Sequence, residues 1–207
     1  MLQGVAVRSA MLDSNESWVN IAQAAVTLEQ GPVQFTDINV GLTTTDWELL
    51  VNDLDLASSV QLLMEAGLIP DSVREPLAAA SISGTINALS LGGSLSGESI
   101  QRVAVDFDDI FVKEDTPFPG VSGLSGSLIL SGNAGQLQVN SSDLTLGIPT
   151  QFPDPMQLGN VNAVFDFDLT DDQIVIRNGR AAARADDFEA MALLAGEIPF
   201  SKASGRS

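Results

Sequence analysis

Apolar and polar residues alternate in this chain, segment after segment, and glycine-rich breaks separate the segments. That pattern leaves few folds open. In VSGLSGSLILSGNAGQLQVNSSDLTLGIP, residues 121 to 149, Leu124, Gly126, Leu128 and Leu130 share one parity and Ser125, Ser127 and Ser131 the other. A strand sends successive side chains to opposite faces, so a period of two predicts an extended segment with one apolar and one wet face. GNAG, residues 132 to 135, supplies two glycines and an asparagine that tolerate positive φ, and predicts a hairpin turn. The return strand carries Leu137 and Val139 opposite Gln136, Gln138 and Asn140, and Leu144, Leu146 and Ile148 alternate again before PTQFPDP. Past that break Val161, Ala163, Phe165, Phe167 and Leu169 oppose Asn162, Asp166 and Asp168. TDD (170 to 172) then turns the chain into QIVIR, with Ile174 and Ile176. An antiparallel meander with one apolar face follows.

The first half reads the same way, less cleanly, with strands predicted near 2–11, 18–29, 33–42, 46–56, 82–92 and 102–113. One helical interruption is predicted in ASSVQLLMEAGLIPDSVREPLAAA, 57 to 80. Val60, Leu63 and Met64 lie at helical spacing there, and Gly67 and Pro70 end the turn. Asp71 and Ser72 cap a second short helix reaching Leu77 or Ala80, weakened by Pro76. The fold class is thus mainly β (α+β), one continuous unit over 1–207: strands in 1–56, a helical insertion in 57–80, and a meander in 81–207. An aspartate followed by apolar-x-apolar recurs as DINV (37–40), DLDL (53–56), DIFV (109–112) and DLTL (143–146). Its spacing is too irregular for a solenoid, and it reads as a strand-entry device in which the aspartate caps a turn or bulge.

Composition removes whole classes of chemistry. The chain has 27 acids against nine Lys and Arg, a formal charge of −18, and no basic cluster, so phosphate backbones repel it and nucleic acid is not its partner. It has no Cys, hence no disulfide, thiolate metal site or Cys nucleophile, and no His, hence no Ser-His-Asp triad. The N-terminal MLQGVAVRSAMLDSNES does not read as a signal peptide, and no stretch approaches the roughly 18 apolar residues of a membrane-spanning helix.

Acid clusters are the remaining candidates: Asp106, Asp108 and Asp109, then Asp166 and Asp168, then Asp171 and Asp172. Paired carboxylates bind calcium or exchange protons, but these pairs sit at strand spacing opposite apolar residues, as on the solvated face of an acidic sheet. No loop has the calcium-ligand order DxDxDG. GGSLSGES (92–99) lacks the lysine of a phosphate loop and reads as a flexible hairpin loop, and SGLSG lacks the elbow that activates a serine. Trp18 and Trp47 read as half-buried strand residues. The residues point to no catalytic site, no cofactor and no metal site; the expectation is a protein that is not an enzyme.

Residues 117 to 169, PFPGVSGLSGSLILSGNAGQLQVNSSDLTLGIPTQFPDPMQLGNVNAVFDFDL, resemble the YhdP branch of the AsmA-like family. The shared pattern is PGxSGLSG, a Gly-centred hairpin, a strand ending before P..F..P, and a PL.L element that here reads Pro155-Met156-Gln157-Leu158. Upstream, WELLVNDLDLASSVQLL with ASISGTINALSL repeats the family's strand, helical insertion, strand, so the likeness covers roughly 45 to 200.

The resemblance implies an elongated, twisted, curled sheet forming an apolar groove, within a periplasmic protein anchored in the inner membrane that moves phospholipid to the outer membrane. This chain, with no anchor or signal, resembles an internal segment. Its implied partners are phospholipid acyl chains, flanking β segments of a longer parent chain, and inner- and outer-membrane proteins. The groove lining would be Leu128, Leu130, Leu137, Val139, Leu144, Leu146, Val161, Phe165, Phe167, Ile174 and Ile176. The alternative is a non-enzymatic β-sandwich, a structural or adhesion module that could bind calcium, in which a second sheet covers the same face.

Overall fold

The structure, a computed structural model, describes residues 2–12, 16–28, 31–65, 81–97, 100–113, 120–148, 152, 154–170, 172–185 and 188–199. Along these residues run β1 (Leu2–Leu12), β2 (Glu16–Leu28), β3 (Gly31–Thr43), β4 (Asp46–Asp55), α1 (Leu56–Glu65), β5 (Ile82–Ser94), β6 (Arg102–Val112), β7 (Gly120–Ser131), β8 (Ala134–Gly147), β9 (Met156–Leu169), β10 (Gln173–Arg184) and β11 (Glu189–Pro199). The eleven strands form one open, curled sheet whose spatial order is the chain order, every neighbouring pair antiparallel. Each strand meets only its sequence neighbours, as short hairpin connections dictate. The alternation-based strand limits fall within two residues of β1 to β6. The GNAG turn sits between Ser131 and Ala134, with Gly132 at φ 56°.

The helix starts where it does because Asp55 caps it: its Oδ2 accepts from the Ser58 amide at 2.8 Å, and its carbonyl accepts from the Ser59 hydroxyl at 2.7 Å. The helix packs on β3, β4 and β5. The expected second helix, from Asp71 onward, lies outside the described residues.

Two readings of the sequence need correction. GGSLSGES is not a loop throughout: β5 continues to Ser94, with Gly92 and Gly93 buried within it and paired to Glu48 and Trp47 of β4. A Cβ on Gly92 would stand 3.2 Å from the Arg102 guanidinium, so Gly92 makes room for that side chain. The Asp-apolar-x-apolar motif is not a strand entry either. Asp37, Asp53 and Asp109 lie inside β3, β4 and β6 with φ of 50°, 54° and 50°, and Asp143 lies inside β8. Of the turn or bulge that the aspartate was expected to cap, a bulge forms at Asp37, Asp109 and Asp143, where the register shifts, whereas the β4–β5 register runs past Asp53 without a shift.

Candidate functional site

Side-chain parity changes across these breaks. In β4, Trp47, Leu49 and Val51 point one way, and beyond Asp53 Leu54 takes over that face. In β6, Val103, Val105 and Phe107 give way after Asp109 to Ile110 and Val112. In β8, Leu137, Val139 and Ser141 give way after Asp143 to Leu144 and Leu146. A bulge inserts one residue, bends its strand and shifts the alternation by one. Without a matching shift in the sequence, every apolar residue beyond the bulge would turn to water. The motif makes that shift, so one face stays apolar through the bend.

The breaks lie next to one another across the sheet. Register shifts separate Thr36 from Asn39 on β3, Ile86 from Ala88 on β5, Phe107 from Ile110 on β6, Ser122 from Gly126 on β7 and Ser141 from Leu144 on β8. Gly123 has φ 73°, and a Cβ there would stand 2.7 Å from the Asp143 carbonyl oxygen of β8. Left-handed backbone against a neighbouring strand suits only glycine. The result is a crease that crosses the strands.

Hydroxyl groups replace the ladder bonds lost along it. The Asp109 amide donates to Ser125 Oγ at 3.0 Å, and that hydroxyl donates to Asp108 Oδ1 at 2.6 Å. One strand on, the Ser125 amide donates to Ser141 Oγ at 2.9 Å, which explains why Ser141, only 3% exposed, is buried among apolar neighbours. Ser125 and Ser141 were not singled out in the sequence, where they look like ordinary members of a serine-rich strand.

Left-handed backbone is tolerated by Asp, free for Gly and costly for a β-branched residue. Asp109→Gly should therefore leave the melting temperature unchanged or raised. Asp109→Val should lower stability by about 1–2 kcal/mol in thermal denaturation. A valine variant as stable as the glycine one would show that Asp109 is not held at positive φ.

The register places the predicted lining on one face. Directly opposed residues share a face. One row runs Val19, Val40, Leu49, Leu91, Val103, Leu130, Gly135, Phe167 from β2 to β9. A second runs Val51, Leu89, Val105, Leu128, Leu137, Phe165 from β4 to β9. Across the crease, Ile82, Val112, Val121, Leu146 and Met156 form a third. Val139 pairs Ala163, and Leu144 lies beyond the bulge opposite Gly159.

On β10, Ile174 and Ile176 oppose Ile198 and Gly196 of β11, and Gly179 opposes Leu194 beyond a one-residue shift, with the Phe165 ring over Gly179. All eleven candidates therefore share the face. The first-half residues Val51, Leu89, Val103, Val105, Ile110 and Val112 belong to it equally. Their signal was the same alternation, which was read for strands but not extended to the lining.

Burial follows the crease. The buried hydrophobic residues are Ala24, Val51, Leu54, Ile110, Val139, Leu144, Val161 and Ala163, each close to a break in its own strand or to one in the strand beside it. No side chain among the described residues is completely enclosed. In a single layer, side chains are covered mainly where the sheet bends over itself. The remaining lining positions, Leu128, Leu130, Leu137, Leu146, Phe165, Phe167, Ile174 and Ile176, stay half-buried. No second sheet lies over this face among the described residues.

The acids take the other face. Gln136 donates to Asp166 at 2.8 Å and Arg177 bridges Asp168 at 3.0 Å. Among the described residues no group of three acids converges as a metal site would require. Trp18 of β2 is exposed and Trp47 of β4 half-buried.

The family model of the YhdP protein matches residues 7–201. The chain belongs to the YhdP family. The match takes in β2 to β11 whole and the second half of β1, so nearly the entire sheet, crease included, is family sequence. No curated protein and no solved structure matches the chain. Among the described residues no helix is long and apolar enough to cross a membrane.

Proposed function

We propose that the apolar face is the wall of a groove that shields phospholipid acyl chains, and that this YhdP-family segment serves phospholipid transport between the inner and outer membranes. The observation that carries the reading is the set of apolar rows running unbroken across up to eight strands of a single-layer sheet. Apolar surface left in water costs about 25 cal/mol per Å2, and a patch of this extent needs a cover. Acyl chains are such a cover: they need apolar walls, make no hydrogen bonds and ask for no reactive residue. The eleven candidates from Leu128 to Ile176 are the contact residues in this reading, joined by their first-half counterparts. The location that fits is the periplasm, within a longer parent chain anchored in the inner membrane, with flanking β segments continuing the sheet and membrane proteins receiving it at either end.

Neighbouring positions on β9 provide the test. A photo-crosslinking residue at Phe165 should capture phospholipid in cells, whereas one at Asp166, on the opposite face, should not. Equal labelling at both sites would sink the facial assignment, and no lipid at either would leave the structural-module reading.

A further inference from the structure

Three phenylalanines of the apolar face are each set against a glycine. Phe107 of β6 opposes Gly126 of β7, Phe167 of β9 opposes Gly135 of β8, and the Phe165 ring lies over Gly179 of β10. Directly opposed side chains stand only about 5 Å apart, so a glycine leaves a notch that the ring opposite can enter. At Gly135 and Gly179 the rings do enter. A Cβ on Gly135 would overlap the tip of the Phe167 ring, and one on Gly179 would stand 2.8 Å from Cδ1 of Phe165. Both glycines are buried and both rings half-buried. The rings lie down on the sheet instead of standing up from it.

The two notches differ in what else borders them. At Gly179 the Leu194 carbonyl oxygen would also stand 3.0 Å from the added carbon, whereas at Gly135 the nearest atoms all belong to the ring. A methyl group at Gly135 therefore displaces a side chain and no backbone. Along β9 the ring has Phe165 and Leu169 as its same-face neighbours, two residues away on either side, so it swings off the sheet. A raised phenyl ring fills space that a hydrocarbon chain lying on the face would need.

We propose that Gly135 is a positioning residue for lipid: by letting the Phe167 ring lie flat, it keeps the path of an acyl chain clear across β7 to β9. The proposal rests on the groove reading of the apolar face. A ring over a strand glycine also supplies packing that the glycine lacks. That structural role alone predicts no loss of lipid from Gly135→Ala, because the methyl group fills the notch itself.

A photo-crosslinking residue reads the path locally. Leu130 of β7 stands directly opposite Gly135, and Leu89 of β5 lies in the second apolar row, away from the notch. In cells, a crosslinker at either position of the otherwise unchanged chain should capture phospholipid. Gly135→Ala should lower capture at Leu130 at least about threefold and leave capture at Leu89 within about twofold. Adding Phe167→Leu, which removes the ring, should restore capture at Leu130. Capture that Gly135→Ala leaves unchanged, that falls equally at Leu130 and Leu89, or that Phe167→Leu does not restore overturns the proposal and leaves the groove standing. No capture at either position of the unchanged chain ends the groove reading and this proposal with it.

Discussion

Gly126→Val should lower the stability of the sheet by about 3 kcal/mol or more, seen as a large drop in melting temperature with loss of β-sheet circular dichroism. Gly126 lies on β7 between Phe107 of β6 and Val139 of β8. A Cβ at this position would overlap the Gln138 carbonyl oxygen and stand 3.1 Å from the Val139 Cα. The obstacle is backbone, which cannot rotate aside as a side chain can. The register between β7 and β8 would have to move, and Val139 belongs to the cluster with Leu144, Val161 and Ala163 that is the best-covered part of the face. Ser127→Thr, one residue along on the polar face, should change stability by no more than about 0.5 kcal/mol. A Gly126→Val chain that melts like the original would show that β7 and β8 do not approach this closely at the crease.

If acyl chains line the apolar face as proposed, Leu128→Asp combined with Leu137→Asp should leave the fold and abolish lipid binding. These residues are directly opposed on β7 and β8 and half-buried on the apolar face. Two carboxylates there repel each other and present charge where an acyl chain would lie. Because water reaches the face when no lipid covers it, the charges stay hydrated and the sheet persists. Phospholipid in an organic extract of the purified protein, measured by mass spectrometry, should fall at least about tenfold, equivalent to roughly 1.4 kcal/mol of binding. Unchanged lipid content would end the groove reading. Unfolding would mean that the face is an ordinary core against another layer.

Much of the architecture was legible because its cause is local. Alternation of period two specifies strands and their apolar face wherever it is unbroken, so Leu128, Leu137 and Phe165 could be assigned to one face before their pairing was known. Gly132 and Asn133 marked their turn for an equally local reason, tolerance of positive φ. The Gly92-Gly93 reading failed because the same residue type serves turns and tight packing, and only the neighbours Trp47 and Arg102 distinguish the two.

The sequence by itself determined that this is an acidic, antiparallel, one-sided β protein without thiol or imidazole chemistry, because composition and side-chain period are properties of the chain alone. It also contained the four Asp-apolar-x-apolar motifs, whose role could not be read there. A parity change at one aspartate looks like a strand ending and another beginning. Only the tertiary structure decided that the strands continue, that neighbouring breaks align into one crease, and that Ser125 and Ser141 satisfy the amides stranded by it. The physical reason is that alignment is a relation between strands about 16 or more residues apart, set by register, and register is a property of the sheet as a whole.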